Sequence, residues 1–134
     1  MTETGTIRVV AALIRDEAGR VLLVRKRGTT AFMQPGGKRD PGEDDATALA
    51  RELGCAMVRD SIQLLGEFDA VAANEPGWRV HACLYGIDVT GDIVPHREID
   101  EMIWIDPASP PDVPLAPLTR DHVLPLASQV RVPG

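Results

Sequence analysis

Short apolar runs around one segment of helical period most constrain the fold of this chain. Residues 7–14 and 21–25 are apolar runs separated by the acidic and glycine residues of 16–19, so they predict a β-hairpin. A third extended segment, residues 32–37, ends in Gly36 and Gly37, which we call the glycine turn and which permit close backbone approach. Apolar residues then recur at helical spacing over residues 43–53, which predicts a helix behind the glycine turn.

The second half of the chain adds more strands and one more helix. Residues 61–73 and 78–89 alternate as strands do, and the Asn-Glu-Pro-Gly turn between them predicts a long hairpin. The other predicted elements are a short strand at 102–105, a proline-rich connector at 107–117, and a helix from about 118 to 129 that Pro125 limits or kinks. This order predicts an α+β fold, a layered α/β/α domain with a mixed β-sheet.

Composition bounds the function. With 134 residues, 44% hydrophobic and 25% charged, the chain suits one globular domain over residues 1–134. A formal net charge of -6 argues against a nucleic-acid backbone as the main partner, and a small anionic ligand would need a basic patch or a metal ion. No apolar run approaches membrane-spanning length and the opening residues lack a signal-peptide pattern, so we expect no membrane partner and a cytoplasmic location.

The segment most specific for function runs from Gly37 to Glu43 and is followed, after seven residues, by Arg51, Glu52 and Leu53. These five residues resemble the opening of the Nudix box, G-x5-E-x7-R-E-U-x-E-E-x-G-U, in which U is a bulky apolar residue. All five fall at the expected intervals, inside the expected strand, loop and helix. The match is therefore far more specific than a lone glycine motif.

The flanking sequence is also similar to this family. Residues 21–27, residues 33–37 and Trp104 in a late strand match its pattern, so the resemblance covers roughly residues 7–106. It implies a MutT-like Nudix hydrolase with a Nudix-like α/β/α sandwich. It also implies Mg²⁺- or Mn²⁺-dependent hydrolysis of a diphosphate bond in a small nucleoside diphosphate derivative. Homodimers are common in the family, and the sequence by itself leaves the oligomeric state open.

The box requires carboxylates on one helix face. Residues three and four apart on a helix share a face, so a glutamate followed by two more at these spacings places three carboxylates around one point. A hard divalent cation such as magnesium relieves their repulsion and keeps waters for chemistry. The metal neutralises diphosphate charge, and an activated water attacks phosphorus.

This chain departs from the box after Glu52. Counting forward, the paired glutamates fall on Cys55 and Ala56, and the closing glycine arrives early, as Gly54. Alternatively, four residues are missing, and Arg51 and Glu52 occupy the places of the glutamate pair. Four residues slightly exceed one turn of 3.6, so the helix face rotates by only about 40°. Both alignments leave Glu52 as the one carboxylate of the usual three.

The resemblance assigns roles to the matching residues. Glu52 is expected to bind metal and take part in catalysis, and Gly37 to offer its backbone carbonyl to the metal. Glu43 is a candidate metal ligand that in the family mostly supports the loop and helix, and Arg51 is expected to hold neighbouring carboxylates. The alternative for Glu52 is a solvated helix residue, and the alternative for Gly37 is a plain turn glycine. For Glu43 and Arg51 the alternatives are stabilisation of the helix N-terminus and a surface ion pair.

Three basic residues beside this site, Arg25, Arg27 and Lys38, are candidates for binding substrate phosphate, with a solvated charged face as the alternative. Acids just before the Trp104 strand are candidates to replace the missing carboxylates, because related enzymes often place a loop acid there. We assign Glu98 as a metal ligand and Glu101 as a catalytic base. A solvated acidic loop is the alternative for both.

Several other polar residues favour structural interpretations. Asp44 and Asp45 stand at a helix start, where capping or dipole interactions are the usual roles. His81 and His96 are candidate bases in principle because imidazole titrates near neutrality, yet a lone histidine is more often structural. The two cysteines, among them Cys83, form no zinc spacing and are expected to be buried thiols.

Two functions remain open from sequence. The first is metal-dependent hydrolysis, weakened by the lost carboxylates. The second is a catalytically impaired nucleotide-binding or regulatory module on the same fold. The enzyme is favoured because the glycine loop, Arg51 and Glu52 are all present.

Overall fold

The structure is a computed structural model that describes residues 5–53, 56–73, 75–90 and 98–129. Its strands are β1 Thr6–Leu13, β2 Val21–Lys26, β3 Gly36–Gly37, β4 Ala56–Met57, β5 Gln63–Val71, β6 Arg79–Gly86, β7 Val89–Thr90 and β8 Ile99–Ile105. Its helices are α1 Asp45–Leu53 and α2 Leu124–Gln129. The predicted α+β class is therefore confirmed.

The main sheet has four strands in the order β3-β1-β6-β5, and β2-β8 and β4-β7 form two further pairs. Strand β1 runs parallel to β6, whereas β3 and β5 run antiparallel to their neighbours, so the sheet is mixed. Leu49 of α1 packs in one buried cluster with Val10 and Ala12, and Leu124 of α2 packs in another with Ala11. The helices thus cover opposite faces of β1, as in the expected α/β/α sandwich.

The predicted hairpin of the first two strands forms only beside its turn, where Arg15 and Val21 make an antiparallel bridge and the Leu22 N–H donates to the Ile14 carbonyl at 3.0 Å. A tight turn is present, since the Asp16 N–H donates to the Arg20 carbonyl at 2.9 Å, but β2 pairs with β8 over its length. Strand β1 is buried on both faces from Val10 to Leu13 and pairs with β3 and β6 at its two edges. Pairing between the two segments is therefore confined to the residues beside the turn.

The second predicted hairpin is confirmed. Strands β5 and β6 pair antiparallel, with Asp69 opposite His81 and Glu67 opposite Cys83. The period of two therefore predicted both strands.

The helices follow their predicted positions with one difference. Asp44 caps α1, because its Oδ1 accepts the Thr47 N–H at 2.8 Å. Before α2, Thr119–Val123 forms a π-helical turn, in which the Leu124 N–H donates to the Thr119 carbonyl. Pro125, in the first turn of α2, has no N–H to donate, which accounts for a change in hydrogen bonding near this point.

None of the helices in the described ranges combines the length and hydropathy needed to cross a membrane.

Candidate functional site

The glycine turn and the end of α1 form a close contact. Gly37 on β3 lies opposite Val10 of β1, and a Cβ added to Gly37 would lie 2.6 Å from Oε1 of Glu52. The carboxylate of Glu52 therefore occupies the space that any other side chain at position 37 would fill. The structure brings together the two residues that the motif predicts as neighbours.

One guanidinium organises this contact. Arg51 donates from Nε and Nη2 to the two carboxylate oxygens of Glu43, each at 2.9 Å. Its Nη1 donates to Oε1 of Glu52 at 2.9 Å, and Nη2 also donates to the carbonyl of Lys38 at 2.9 Å. Arg51 thus contacts both glutamates and the loop that precedes Glu43.

The ionisation of Glu43 follows from these bonds. The Arg51 hydrogen bond, followed by the backbone N–H of Asp40, lowers the pKa of Glu43 below its ordinary value. Glu43 in turn is the main cause that raises the pKa of Arg51. Both oxygens of Glu43 are engaged, since Oε1 also accepts the Asp40 N–H at 2.7 Å. This geometry favours a positioning role for Glu43 over that of a metal ligand.

Glu52 is better suited to hold a cation. Its side chain is 18% exposed, and its Oε2 accepts no hydrogen bond from the described part of the chain. Mg²⁺ binds through one or two carboxylates while it keeps several waters, so a single carboxylate oxygen beside a backbone turn fits its donor preference. The orientation of the Gly37 carbonyl toward a metal stays a prediction.

The end of α1 decides between the two alignments of the box. The helix ends at Leu53, and Ala56 already belongs to strand β4. The alignment that continues the helix through Ala56 is therefore wrong, whereas the loss of one turn agrees with the structure. Gly54 and Cys55 lie outside the described residues.

The acids of the late strand contact basic residues at the end of β2 and just after it. Glu101 lies opposite Arg25 across β2 and β8, and Nη2 of Arg25 is 3.3 Å from both Asp100 Oδ2 and Glu101 Oε1. The carbonyl of Glu98 accepts the backbone N–H of Arg27 at 2.7 Å. Neither glutamate joins Glu52 in a group of three potential metal ligands within the described ranges. Their roles as ligand and base stay predictions, and His96 lies outside those ranges.

A cavity of about 140 Å³ opens beside the glycine turn. Its charged lining residues are Lys26, Lys38 and Glu75, and Gly36 and Gly37 form part of its wall. Apolar side chains complete it, among them Ile7, Val9, Met33, Val71, Val80 and Leu118. Lys38 thus lies where a phosphate ligand was expected, whereas the lining includes neither Arg25 nor Arg27.

Lys26 is a site residue that the sequence interpretation missed. The pairing of β2 with β8 shifts register between Arg25 and Lys26, so that Arg25 pairs with Glu101 whereas Lys26 pairs with Ile99 and lines the cavity. Because this shift interrupts the regular alternation, the strand period alone did not separate the cavity lysine from the arginine that pairs with Glu101.

A second polar cluster, also missed, lies on the β5–β6 hairpin. Nδ1 of His81 is 2.8 Å from Asp69 Oδ1, and its Nε2 is 2.9 Å from Glu67 Oε1. Sγ of Cys83 is 3.8 Å from the same Glu67 oxygen. The hairpin register and the i, i+2 spacing on each strand were the available signal. We call these four residues the hairpin cluster.

Comparison with protein-family models identifies the family of this chain. The model of the NUDIX domain matches residues 5–126. The chain belongs to the NUDIX family. Among curated proteins, none matches this sequence.

Solved structures similar to this Nudix protein share its fold. A MutT NUDIX hydrolase from Burkholderia pseudomallei is 22% identical with a TM-score of 0.69, over 94% of this chain and 98% of that one. A MutT protein from Methanosarcina mazei Go1 is 22% identical with a TM-score of 0.69, over 96% and 95% of the two chains. A UDP-X diphosphatase is 18% identical with a TM-score of 0.68, over 92% of this chain and 62% of that one.

Proposed function

We propose that this Nudix protein hydrolyses a diphosphate bond in a nucleoside diphosphate derivative, with Mg²⁺ or Mn²⁺ held beside Gly37 and Glu52. The observation that carries the proposal is the Glu52 carboxylate against Gly37, next to a cavity bordered by Lys38. Family membership supports a hydrolase, and the local geometry supports this position for its metal.

Each residue of this site has a separate role in the proposed hydrolysis. Glu52 provides a carboxylate oxygen to the cation, which when bound neutralises phosphate charge and activates a water. Arg51 is a positioning residue, because it holds Glu52 through Nη1 and the loop through the Lys38 carbonyl. The ammonium groups of Lys26 and Lys38 bind phosphate oxygens as point charges at the cavity wall.

The cavity also suggests which substrates to test first. Its wall combines two lysines with mainly apolar side chains, which suits a molecule with a charged diphosphate and a less polar remainder. The similar UDP-X diphosphatase structure supports including nucleoside diphosphates linked to another group. A panel of such compounds and dinucleotides, each with Mg²⁺ or Mn²⁺, is therefore the appropriate first assay.

The Glu52→Gln variant tests the proposed metal position. It keeps the shape of the side chain and removes its charge, so we expect turnover to fall by about 10² to 10³-fold, as when a main electrostatic contribution is lost. Glu17→Gln, in the exposed turn after β1, is the matched control and should keep the wild-type rate. Equal rates for Glu52→Gln and wild type would refute the assignment. Glu98→Gln and Glu101→Gln then test the predicted ligand and base.

A second function, nucleotide binding with little turnover, is favoured by one observation. Helix α1 ends at Leu53, so Glu52 is its one carboxylate at the glycine turn within the described residues. This function predicts that nucleotides with Mg²⁺ raise the unfolding temperature while no product forms. Product formation at a rate that depends on Glu52 would exclude it.

A further inference from the structure

We propose that Glu67, His81 and Cys83 of the hairpin cluster form a second metal site, which binds Zn²⁺ or a similar divalent transition metal. The site does not depend on the proposed hydrolase function. It is built on β5 and β6, and none of its residues belongs to the Nudix box.

The geometry of the three side chains suits a tetrahedral ion. One ligand atom from each residue lies within 4.8 Å of the other two. His81 Nε2 is 2.9 Å from Glu67 Oε1, and Cys83 Sγ is 3.8 Å from that oxygen. Ordinary zinc bond lengths require separations of about 3.3 Å between nitrogen and oxygen and about 3.5 Å between sulfur and oxygen. Small side-chain rotations therefore suffice to place an ion between these atoms.

The ligand types determine which metal is preferred. Imidazole and thiolate suit zinc and its transition-metal neighbours, whereas magnesium prefers oxygen ligands alone. Three protein ligands leave a fourth tetrahedral position for water. The set of nitrogen, sulfur and oxygen thus differs from the carboxylate chemistry proposed at Gly37.

Asp69 supplies a second, independent feature of metal-binding histidines. It accepts a hydrogen bond from Nδ1 of His81 at 2.8 Å, which leaves Nε2 directed at Glu67. Histidine ligands almost always donate their other ring N–H to such a carboxylate, which fixes the ring orientation and the tautomer. In the metal-free protein, a proton on Nε2 occupies the place that the ion would take.

Protons compete with the metal at this site. Hydrogen bonds to Glu67 and Asp69 raise the pKa of His81. Burial raises the pKa of the Cys83 thiol, and the carboxylates of Glu67 and Asp45 add to this effect, while Arg39 opposes it. Metal binding requires neutral imidazole and thiolate, so the ion must displace both protons. We therefore expect its affinity to increase with pH.

The second site is separate from the first. Gly37 pairs with Val10, Val10 with Cys83, and Cys83 with Glu67, in one row across the four strands. Neighbouring strands are about 4.8 Å apart, so Cys83 lies about 10 Å from Gly37 along the sheet. Each site can therefore be altered without removing a ligand of the other.

Cobalt provides a direct test. The full chain, freed of metal with a chelator, is titrated with Co²⁺, and the near-ultraviolet band of a cobalt–thiolate bond is recorded. We expect a band that Zn²⁺ abolishes by competition, that Cys83→Ser removes, and that His81→Gln weakens. Asp69→Asn keeps all three ligands and should weaken binding by about 10 to 100-fold. Circular dichroism verifies that each variant is folded.

Two controls distinguish this site from other sources of the signal. Cys55→Ser removes the other cysteine of the sequence and should keep the band. Glu52→Gln should also keep it, even where Mg²⁺-dependent turnover is lost. The proposal is overturned if wild type gives no cobalt–thiolate band, if the band survives Cys83→Ser, or if Cys55→Ser removes it. Loss of hydrolysis alone leaves these outcomes unchanged.

Discussion

The glycine-turn site and the hairpin cluster balance their carboxylate charge in different ways. At the glycine turn, Arg51 binds Glu43 and Glu52, and a guanidinium stays charged at every ordinary pH. In the hairpin cluster, His81 lies between Glu67 and Asp69, and its positive charge is an exchangeable proton. In the hairpin cluster a metal ion can therefore replace the proton of His81. At the glycine turn the metal ion must bind beside the permanently charged guanidinium of Arg51.

The two regions also differ in how the chain assembles them. The first joins a turn to the helix that follows it, within sixteen residues from Gly37 to Glu52. The second depends on the register of two long strands, which places Glu67 opposite Cys83 and Asp69 opposite His81. A local sequence motif reveals the first arrangement, and only strand pairing creates the second.

The largest expected effect is a difference in stability between alanine substitutions at the two glycines of the turn. Gly36→Ala places a Cβ 2.1 Å from the Val10 carbonyl at a φ of +147°, where the backbone cannot yield without loss of β1–β3 pairing. We expect it to lower the free energy of unfolding by at least about 2 to 3 kcal/mol. The nearest atoms to a Cβ at Gly37 all belong to the flexible carboxylate of Glu52, so Gly37→Ala should cost under about 1 kcal/mol.

Gly37→Ala, which should change stability little, should still reduce activity. The displaced Glu52 carboxylate should reduce turnover of Gly37→Ala by at least about tenfold, since a small misplacement of a catalytic group has a large effect. Urea unfolding and initial rates measure the two properties. Equal destabilisation by both substitutions would show that Gly37, like Gly36, is needed for the backbone and not for space at Glu52.

Metal-free protein should show opposite pH responses in the two regions. The pKa of Glu43 is lowered from 4.5 by Arg51, so its contribution to stability is present above 4.5 and lost as pH falls through the folded-state pKa. The pKa of His81 is raised from 6.5 by Glu67 and Asp69, so its contribution is present below 6.5 and lost as pH rises through the folded-state pKa.

Urea unfolding as a function of pH, with chelator present, checks this contrast. Glu43→Gln should flatten the acidic part of the curve and leave the part above pH 6.5 unchanged. His81→Asn should do the reverse. Adding Zn²⁺ should reverse the slope of stability against pH in the range where His81 loses its proton, because the ion binds the neutral ring. A profile above pH 6.5 that His81→Asn does not alter would contradict the balance described for the hairpin cluster.

The smallest expected effect lies where the regions meet. The hydroxyl of Tyr85 on β6 donates to Asp45 in the first turn of α1, and Asp45 also accepts a bond from Arg39 at 2.9 Å. Tyr85→Phe removes one hydrogen bond and keeps the ring, so we expect a loss of about 0.5 to 1.5 kcal/mol in urea unfolding. Turnover and cobalt binding should both persist. Loss of either would show that the regions are coupled through this bond.

Local patterns predicted much of the fold and the centre of the first site. The helical period of residues 43–53 and the alternation of 61–89 depend on neighbours a few positions apart, and the structure has α1 and the β5–β6 hairpin there. The Nudix-like spacing brought Gly37, Arg51 and Glu52 into one hypothesis, and the structure places them in contact. The sequence also indicated the loss of one helical turn.

Partner choice was decided only in three dimensions. Residues 7–14 and 21–25 are adjacent in sequence with a good turn between them, yet they pair only beside that turn, and β2 pairs with β8 over its length. Likewise, the pairing of β2 with β8 places Arg25 beside Glu101, while Lys26 lines the cavity. The pairing of β5 with β6 places the thiol of Cys83 beside Glu67. The sequence by itself determined the elements and the glycine-turn motif, since these rest on short-range spacing. Strand order and register determined which distant side chains meet, because burial of β1 on both faces favours one arrangement of the whole sheet.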